Sequence, residues 1–295
     1  MKIVFVGTVE FSKKTLQKLI ELKADIAGVI TREKSPFNSE FADLTDLCKQ
    51  NKIPYKYMTN INLPQNINWV KSLSPDIIFC FGFSQIIKSE LLSIAPMGIV
   101  GFHPAKLPQN RGRHPIIWSL ALGLNKTAST FFFIDDGVDS GDILSQVDID
   151  ITYEDNARTL YDKITRTALI QIEEFLPSLV NKTYTRTPQC NIETNYWRKR
   201  TKKDGEIDFR MNSRAIYNLV RAITKPYAGA HVVCENKDIK VWKAKEQTEI
   251  NLPNIECGKV LCTNNNHILV KCFDTAVLLE EHEFSSLPKV GDYLT

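Results

Sequence analysis

The stretch DIIFCFGFSQIIKSELLSIAPMGIVGFH, residues 76–103, contains two short apolar runs with a helical pattern between them. The runs at 76–81 and 98–103 have the length and composition of buried strands, and 89–95 is typical of a helix. Strands that alternate with helices indicate βαβ units and a largely parallel sheet. This stretch therefore predicts an α/β fold.

The same alternation continues on both sides of this stretch. Toward the N-terminus, strands are predicted at 2–6 and 27–31, with an amphipathic helix between them. Toward the C-terminus, the pattern predicts strand regions at 128–135 and 139–151, followed by a long helix at 154–179. The predicted sheet thus extends over about the first half of the chain.

The length of 295 residues suggests about two domains. From about residue 231 onward, short alternating runs separated by Asn, Gly and Pro are typical of a small all-β module. We therefore expect a Rossmann-like N-terminal domain over residues 1–200. A smaller, barrel-like β-rich domain, preceded by a helix, is expected over residues 201–295.

The charge balance is close to neutral: 37 Lys and Arg against 34 Asp and Glu give a net charge of +3. This excludes a protein that binds nucleic acid by bulk charge alone. The balance is uneven, because residues 198–203 contain five Lys or Arg, which leaves the rest of the chain net negative. A local cation cluster is therefore more informative than the total charge.

Several classes of protein and site are excluded by short-range patterns. The apolar run at 2–6 is too short for a signal peptide, and no stretch approaches the ~20 apolar residues that span a bilayer. We therefore expect a cytoplasmic protein with no membrane partner. The seven cysteines form no C-x-x-C pair, which argues against a disulfide framework or a metal site. Neither a G-x-G-x-x-G nor a Walker A motif follows the first strand, so dinucleotide or ATP chemistry has no support.

Two polar segments follow predicted strands, and open α/β sheets bind ligands beyond the carboxyl ends of their strands. One begins at His103 and reads HPAKLPQNRGR; the other begins at Asp135 and reads DDGVDSGD. An imidazole held at a strand end suits proton transfer near neutral pH, and a nearby carboxylate would fix its tautomer. The two segments together predict an acid–base site.

The joint pattern resembles the folate-dependent formyltransferase superfamily. The motif H-P-x-x-L-P-x-x-R-G-R spans 103–113, and D-x-G-x-D-S-G-D-I-L spans 135–144. The superfamily includes methionyl-tRNA formyltransferase, glycinamide ribonucleotide transformylase and the sugar-nucleotide N-formyltransferases, and the resemblance covers most of the chain. It implies that a primary amine attacks the formyl carbon of N10-formyltetrahydrofolate. A tetrahedral intermediate then collapses and releases tetrahydrofolate.

The resemblance implies that His103 shuttles the proton and that Asp139 is the carboxylate beside it. The family carries an asparagine two residues before the histidine, where this chain has Gly101. Positions i and i+2 of a strand share a face, and the resemblance implies that the asparagine of relatives donates from this face to the developing oxyanion. Gly101 has no side-chain donor. Losing such a donor costs roughly 2.7–4 kcal/mol. Either a backbone N–H, a water or another residue substitutes for this donor, or the enzyme is slow or altered. Three side chains on neighbouring loops are candidates for the substitute: Asn110, Gln85 and His114.

The resemblance also implies a folate site. Relatives hold the pterin by backbone groups and apolar side chains after the strand at 76–81, and line the same pocket with the two motif loops. The residues implied are Gln85, Ile86, Ile87, Ala105, Leu107, Pro108, Asp135, Gly137 and Arg113. Core packing is the alternative for Ile86 and Ile87, and turn formation is the alternative for Asp135.

The acceptor amine is the remaining question. A glycinamide ribonucleotide enzyme would be a single domain, so the C-terminal module argues against it. Methionyl-tRNA formyltransferases carry a basic inserted loop, but the matching region, residues 31–48, balances two basic residues with four acidic ones. Binding tRNA requires many cations that neutralise phosphates, so no nucleic-acid partner is predicted.

The sugar-nucleotide branch matches better in the stretches at 196–209 and 216–230. A nucleotide diphosphate is bound by a few positioned cations and a stacked aromatic ring. The predicted substrate-binding residues are Tyr196, Trp197, Arg198, Arg200 and Tyr227. A solvated linker is the alternative for the basic run, and interdomain core for Trp197 and Tyr227.

We therefore predict a sugar-nucleotide N-formyltransferase. Its substrate would be a nucleotide-linked amino-deoxysugar, for example a dTDP-4-amino-4,6-dideoxyhexose destined for a bacterial surface polysaccharide such as O-antigen. The resemblance also implies a homodimer. The alternatives are a methionyl-tRNA formyltransferase and a catalytically impaired relative that only binds folate or a nucleotide sugar.

Overall fold

The computed structural model describes residues 1–34, 40–83, 85–234 and 237–294. The chain divides into two compact units, each built from three segments. The first comprises Met1–Gly112, Thr127–Ile149 and Asp162–Trp197, and the second Arg113–Lys126, Asp150–Tyr161 and Arg198–Thr295.

Seven strands of the described residues form one sheet in the first unit, in the order β3-β2-β1-β4-β5-β7-β8. Their bounds are β1 (Lys2–Val6), β2 (Asp25–Thr31), β3 (Tyr55–Tyr57), β4 (Ile77–Cys80), β5 (Ile99–His103), β7 (Lys126–Phe133) and β8 (Ile143–Asp150). The first five strands are parallel, and β7 runs antiparallel to β5. A separate pair of short parallel strands joins β6 (Arg111–Gly112) to β9 (Tyr196–Trp197).

The helices that accompany the sheet are α1 (Glu10–Glu21), α2 (Thr45–Gln50), α3 (Pro64–Ser72), α4 (Ser89–Leu92) and α6 (Ala157–Val180). Strand alternation divides the buried side chains between the two faces of the sheet. One face carries an aromatic cluster in which Phe79 and Phe131 contact Phe175 of α6. The opposite face carries a mainly aliphatic cluster that includes Ile78 and Ile99. The core thus lies on both faces, as a parallel sheet requires.

The second unit contains α5 (Pro115–Ala121), α7 (Ser213–Ile223) and, among its described residues, a five-stranded antiparallel sheet. The strands are β10 (Ala230–Cys234), β11 (Lys237–Gln247), β12 (Val260–Asn264), β13 (His267–Lys271) and β14 (Ala276–His282), in the order β10-β11-β14-β13-β12. Helix α7 packs on β11 and α5 packs on α7. The α/β fold with a largely parallel sheet and a smaller β-rich C-terminal domain is confirmed.

Several local expectations differ from the structure. The helix expected at 89–95 ends at Leu92. The strand expected at 139–151 begins only at Ile143, because Asp139 has a left-handed φ of 52° and belongs to a turn. The helix expected from residue 154 begins at Ala157, since the Asn156 side chain accepts from the amides of Arg158 and Thr159 and caps it. Helix α5 and the β6–β9 pair have no counterpart in the sequence patterns. None of the helices in the described ranges combines the length and apolar composition needed to cross a membrane.

Candidate functional site

His103 is the last residue of β5, at the carboxyl end of the parallel part of the sheet. Its side chain is only 6% exposed. Nε2 lies 2.7 Å from the carbonyl oxygen of Asn110, and Nδ1 lies 3.6 Å from Asp139 Oδ2. The two residues predicted as catalytic are therefore brought together by the fold.

The Asp139 carboxylate reaches His103 from a loop that folds across the face of β5. The same carboxylate oxygen accepts a hydrogen bond of 2.9 Å from the backbone N–H of Gly112. This N–H belongs to the R-G-R part of the first motif, so the two motifs meet at one oxygen atom. The bond fixes the carboxylate beside the imidazole.

The hydrogen-bond acceptors around His103 determine which nitrogens of its ring can donate. A carbonyl oxygen only accepts, so the contact with Asn110 requires a proton on Nε2. Nδ1 faces the Asp139 carboxylate, which also only accepts when ionised. A ring that takes up a second proton therefore donates to both oxygens. The 3.6 Å contact is longer than a hydrogen bond.

Gly101 lies on the same face of β5 as His103 and pairs with Cys80 of β4. A Cβ atom added at Gly101 would lie 2.9 Å from Cγ1 of Ile134. Ile134 packs against the aliphatic cluster on this face of the sheet. The absence of a side chain at position 101 therefore makes room for the loop that carries Asp139.

The three side chains considered as replacements for the missing donor lie in different environments. The Gln85 amide is engaged with the 59–61 segment: Oε1 accepts from the Ile61 amide and Nε2 donates to the Thr59 carbonyl. Asn110 contributes its backbone carbonyl to His103, and its side-chain amide makes no hydrogen bond to another described residue. His114 belongs to the second unit, where its Nδ1 accepts from the Arg200 amide at 3.4 Å.

The segment expected to hold the pterin is anchored by Asn62. Its side chain donates to the Ile86 carbonyl and accepts from the Lys88 amide. Ile86 is 81% exposed, whereas Ile87 is buried in the aliphatic cluster. The core-packing alternative thus describes Ile87, and Ile86 presents an apolar side chain to solvent. Their role in folate binding stays a prediction.

The first motif after His103 is largely part of the core. Ala105 and Leu107 are buried, and their carbonyls accept from the side chains of Thr130 and Gln146. Pro108 is half-buried. These contacts fix the course of the loop, and their contribution to a folate pocket stays a prediction.

The second motif begins with a turn that its own aspartate stabilises. Asp135 Oδ1 accepts from the Gly137 amide at 3.0 Å and from the Ser140 hydroxyl at 2.8 Å. This is the turn formation given as the alternative for Asp135. Gly137 and Val138 remain exposed at the tip of the loop.

Gly112 is held against β9 by a close backbone approach. Its φ is 105°, and a Cβ atom here would lie 2.4 Å from the Trp197 carbonyl oxygen. Only glycine allows the β6–β9 pairing. Trp197 and Tyr196, predicted to bind substrate, thus pair with the motif that supports Asp139. Tyr196 is 58% exposed.

Two further residues of this region were missed by sequence reasoning. Arg111 is 2% exposed and bonds to Gln189. Arg111 is the first arginine of the R-G-R motif, but we predicted only the second, Arg113, as a site residue. Arg113 is exposed and belongs to the second unit. No local pattern marks Gln189.

A basic–aromatic cluster in the second unit contains two of the predicted substrate residues. Arg198 and Arg200 lie 5.4 and 4.6 Å from the ring of Trp118, which the sequence did not single out. The Trp118 indole N–H donates to the Arg198 carbonyl. Both nitrogens of the Arg198 fork bond to the Asp204 carboxylate. A phosphate at Arg198 would therefore compete with Asp204.

Charge and burial shift two titratable groups of the second unit. The hydrogen bonds from Arg198 hold the pKa of Asp204 well below its usual range. Burial, together with Arg113 and Arg200, lowers the pKa of His114. Lys202 is paired with Asp238 at 2.6 Å. The cluster at 198–203 is thus partly neutralised by its own neighbours. Within the described ranges, no group of His, Cys, Asp or Glu is arranged to hold a metal ion.

Two family models match most of the chain, and two curated relatives match it over its whole length. The formyl transferase model matches residues 1–174, and the formyl transferase C-terminal domain model matches residues 199–290. Methionyl-tRNA formyltransferase of Clostridioides difficile (strain 630) is 30% identical over 300 residues, covering 100% of this chain and 96% of the relative. The enzyme of the same name from Geotalea daltonii is 30% identical, with coverage of 100% and 95%.

Solved structures share the fold at lower identity. The sugar 3N-formyl transferase WlaRD, with dTDP and 5-N-formyl-THF, has a TM-score of 0.74 at 21% identity, covering 97% of this chain and 99% of its own. The Helicobacter canadensis N-formyltransferase, in complex with folinic acid and dTDP-3-aminofucose, gives 0.72 at 20%, with coverage of 95% and 99%. Methionyl-tRNA formyltransferase from Clostridium thermocellum gives 0.61 at 20%, with coverage of 84% and 94%.

Proposed function

This chain belongs to the formyl transferase family, and from that premise we propose that it formylates the amine of a nucleotide-linked amino-deoxysugar. The formyl donor is N10-formyltetrahydrofolate, which supplies an activated formyl group. The observation that carries the proposal is the buried His103 beside Asp139 at the end of β5. We take residues 1–200 as the catalytic domain and residues 201–295 as the C-terminal domain.

In the proposed reaction, a bond forms between the acceptor nitrogen and the formyl carbon, and the bond from that carbon to the folate nitrogen breaks. The acceptor amine loses a proton, and the departing folate nitrogen gains one. His103 takes up and returns this proton. Asp139 and the Asn110 carbonyl accept hydrogen bonds from the protonated ring, and the Gly112 N–H keeps Asp139 in place.

Residues of the first unit fit a flat, partly apolar group such as a pterin. Ile86 is 81% exposed on a segment that Asn62 anchors, and Val138 is 51% exposed at the tip of the Asp139 loop. Exposed apolar side chains on anchored loops give a ring a surface to pack on. Ile86, Gly137 and the Asp135 turn are the residues that we propose to hold it.

The region at 31–48 favours a nucleotide sugar over tRNA as the formyl acceptor. Arg32 lies over the Phe83 ring at 5.5 Å and donates to the Thr59 carbonyl, so its guanidinium is engaged within the protein. Asp43 accepts from the Tyr57 hydroxyl. Residues 35–39 of this loop lie outside the described residues. The described part offers few cations for a polyanion.

The basic–aromatic cluster of the second unit supports a small anionic acceptor. Arg200 is half-buried over the indole of Trp118, where a guanidinium keeps its charge and loses little entropy on binding. We propose that Arg200, Arg198 and Tyr227 bind the nucleotide diphosphate. We also propose that the enzyme is a cytoplasmic homodimer and that its product is used in a surface polysaccharide.

A methionyl-tRNA formyltransferase is the second candidate, because the curated relatives at 30% identity carry that name and match the full chain. A catalytically impaired relative is the third, because Gly101 offers no side-chain donor. These alternatives differ in the acceptor that is formylated and in whether any acceptor is formylated at all.

Formyl transfer to a panel of acceptors tests the proposal. Purified full-length protein is incubated with N10-formyltetrahydrofolate and dTDP-, UDP- or GDP-linked amino sugars, or with methionyl-tRNA, and tetrahydrofolate release is measured. We expect turnover with one class of nucleotide sugar and none with methionyl-tRNA. His103→Asn should abolish turnover, while the matched variant His267→Asn, altered in the C-terminal sheet, should retain it.

The other outcomes of this assay distinguish the alternative functions. Turnover with methionyl-tRNA alone would establish the second candidate. Tight folate binding without turnover on any amine would establish the third. Equal turnover with every nucleotide sugar would contradict a specific nucleotide site.

A further inference from the structure

Arg111 is a buried cation. Its side chain bonds to Gln189, which in turn bonds to the loop that carries Asp139. Arg111 is 2% exposed, although a guanidinium is normally left in contact with water. Its Nη1 donates to the Tyr196 hydroxyl at 3.0 Å, and its Nε and Nη2 donate to Gln189 Oε1 at 3.2 and 2.7 Å. Burying such a group is costly unless its hydrogen bonds are satisfied, so this arrangement requires an explanation.

The Gln189 amide uses its whole hydrogen-bonding capacity. Its oxygen accepts the two bonds from Arg111, and its nitrogen donates to the carbonyls of Asp139 at 3.0 Å and Gly141 at 2.7 Å. An amide has two acceptor lone pairs and two donor hydrogens, and all four are engaged. Since the guanidinium can only donate, the orientation of the amide is fixed.

The segment that Gln189 holds is conformationally unfavourable by itself. Asp139 has a φ of 52°, in the left-handed region, which aspartate adopts more readily than most residues but less readily than the ordinary helical and extended regions. Such a residue keeps this conformation only when its surroundings determine it. Gln189 binds the carbonyls of Asp139 and Gly141, and the Gly112 N–H binds the Asp139 side chain.

We propose that Arg111 and Gln189 are positioning residues for Asp139: the guanidinium orients the amide, and the amide holds the loop so that the carboxylate faces His103. This inference rests on the proposed catalytic role of Asp139. Gln189 acts through the backbone of the loop, and Arg111 acts through Gln189. Both act on the distance between Asp139 and His103, and a displacement of about 1 Å there is enough to slow a reaction on the order of 100-fold.

The test compares two variants at Gln189 with a matched glutamine. Gln189→Glu keeps the bonds from Arg111 but places a second oxygen against the two carbonyls. Gln189→Leu removes all four bonds at similar size and is the variant at risk of misfolding. Gln171→Leu is the control, because Gln171 is buried in the same unit and donates to the Ser129 carbonyl and the Ser145 hydroxyl.

We expect Gln189→Glu to lower kcat by about 10- to 100-fold and to change KM for the amine and the folate less than about threefold. Gln171→Leu should lower the thermal midpoint without changing kcat of the folded protein. The second readout is the NMR signal of the Gly112 amide, which donates to Asp139. Displacing the carboxylate should shift this signal upfield in Gln189→Glu and leave it in place in Gln171→Leu.

An unchanged Gly112 signal in Gln189→Glu would overturn the inference. If Asp139→Asn inactivates the enzyme but Gln189→Glu leaves kcat unchanged, the inference is likewise overturned. If the wild-type protein formylates no amine, the proposed function fails. The Gly112 signal still decides whether Gln189 places the carboxylate, because it does not depend on turnover.

Discussion

At the scale of single residues, the proposed catalytic site is centred on one carboxylate oxygen of Asp139, which faces both His103 Nδ1 and the Gly112 N–H. Asp139→Asn keeps a side-chain oxygen for Gly112 but removes the negative charge beside the ring. We expect kcat to fall by at least about 100-fold, the usual contribution of acid–base catalysis, with KM little changed. Steady-state kinetics with saturating folate measures both parameters.

The matched control is Asp136→Asn, in the same turn. Asp136 is exposed and lies three residues earlier in the motif, so the variant removes an equal charge at a similar place. Equal losses in the two variants would show that the charge of the loop, and not the position of Asp139, supports activity.

Gly101 is the second residue whose replacement has a definite expected outcome. Asn at this position would place its Cβ 2.9 Å from Ile134. Because overpacking a filled site costs about 1–3 kcal/mol, Gly101→Asn should lower the free energy of unfolding by that amount. Ile134→Ala removes the opposing atoms, so the cost of Gly101→Asn should be smaller in that background. Denaturant unfolding of the four proteins measures the coupling.

Purely additive effects would show that Ile134 does not occupy the space beside Gly101. The double variant also tests the missing oxyanion donor. A higher kcat in Gly101→Asn/Ile134→Ala than in Ile134→Ala would mean that this enzyme lacks the donor and benefits from it.

At the scale of elements, the basic segment 198–203 is ordered by a carboxylate that follows it. Asp204 bonds to the Arg198 fork and to the amide and hydroxyl of Thr201. The Arg198 hydrogen bonds lower the pKa of Asp204 in the folded protein. A lowered carboxyl pKa stabilises the folded state above the ordinary pKa, and this stabilisation is lost as the pH falls.

Asp204→Asn should therefore lower the thermal midpoint at pH 7, and the difference from wild type should shrink as the pH falls below about 4. Thermal scans between neutral pH and the acid limit of the fold measure the difference. A difference that stays constant over this range would mean that the Arg198–Asp204 pair is not what the variant removes.

At the scale of the whole molecule, the distribution of charge distinguishes the acceptors. Asp204 and Asp238 pair with two of the five cations at 198–203, and the described part of 31–48 offers few others. A nucleotide sugar carries two phosphates. We therefore expect its KM to rise less than about tenfold between 50 and 200 mM salt. A protein that makes 6–10 phosphate contacts loses roughly 10³–10⁵ in affinity over the same range.

Initial rates at several salt concentrations measure this dependence. Ionic strength is varied with KCl, and the uncharged viscosity control is sucrose. A steep dependence with methionyl-tRNA as acceptor would contradict the sugar assignment.

The sequence by itself determined the α/β fold and pointed to the two residues that we propose as catalytic, His103 and Asp139. The apolar runs at 76–81 and 98–103 depend only on local composition, and they became β4 and β5. His103 ends a strand, and a strand end is predictable from the residues next to it. Asp139 followed from the motif resemblance, and the structure places its carboxylate 3.6 Å from the His103 ring.

Only the tertiary structure decided how Asp139 is held and what fills the space beside Gly101. Gln189 bonds to partners 78 and 50 residues away, and Ile134 meets Gly101 only because its loop folds back across β5. Such contacts leave no periodic or motif signal, since the residues involved are neighbours in space and not along the chain. Composition and spacing indicate strand ends and motifs, whereas the hydrogen bonds that place a carboxylate depend on how distant segments pack.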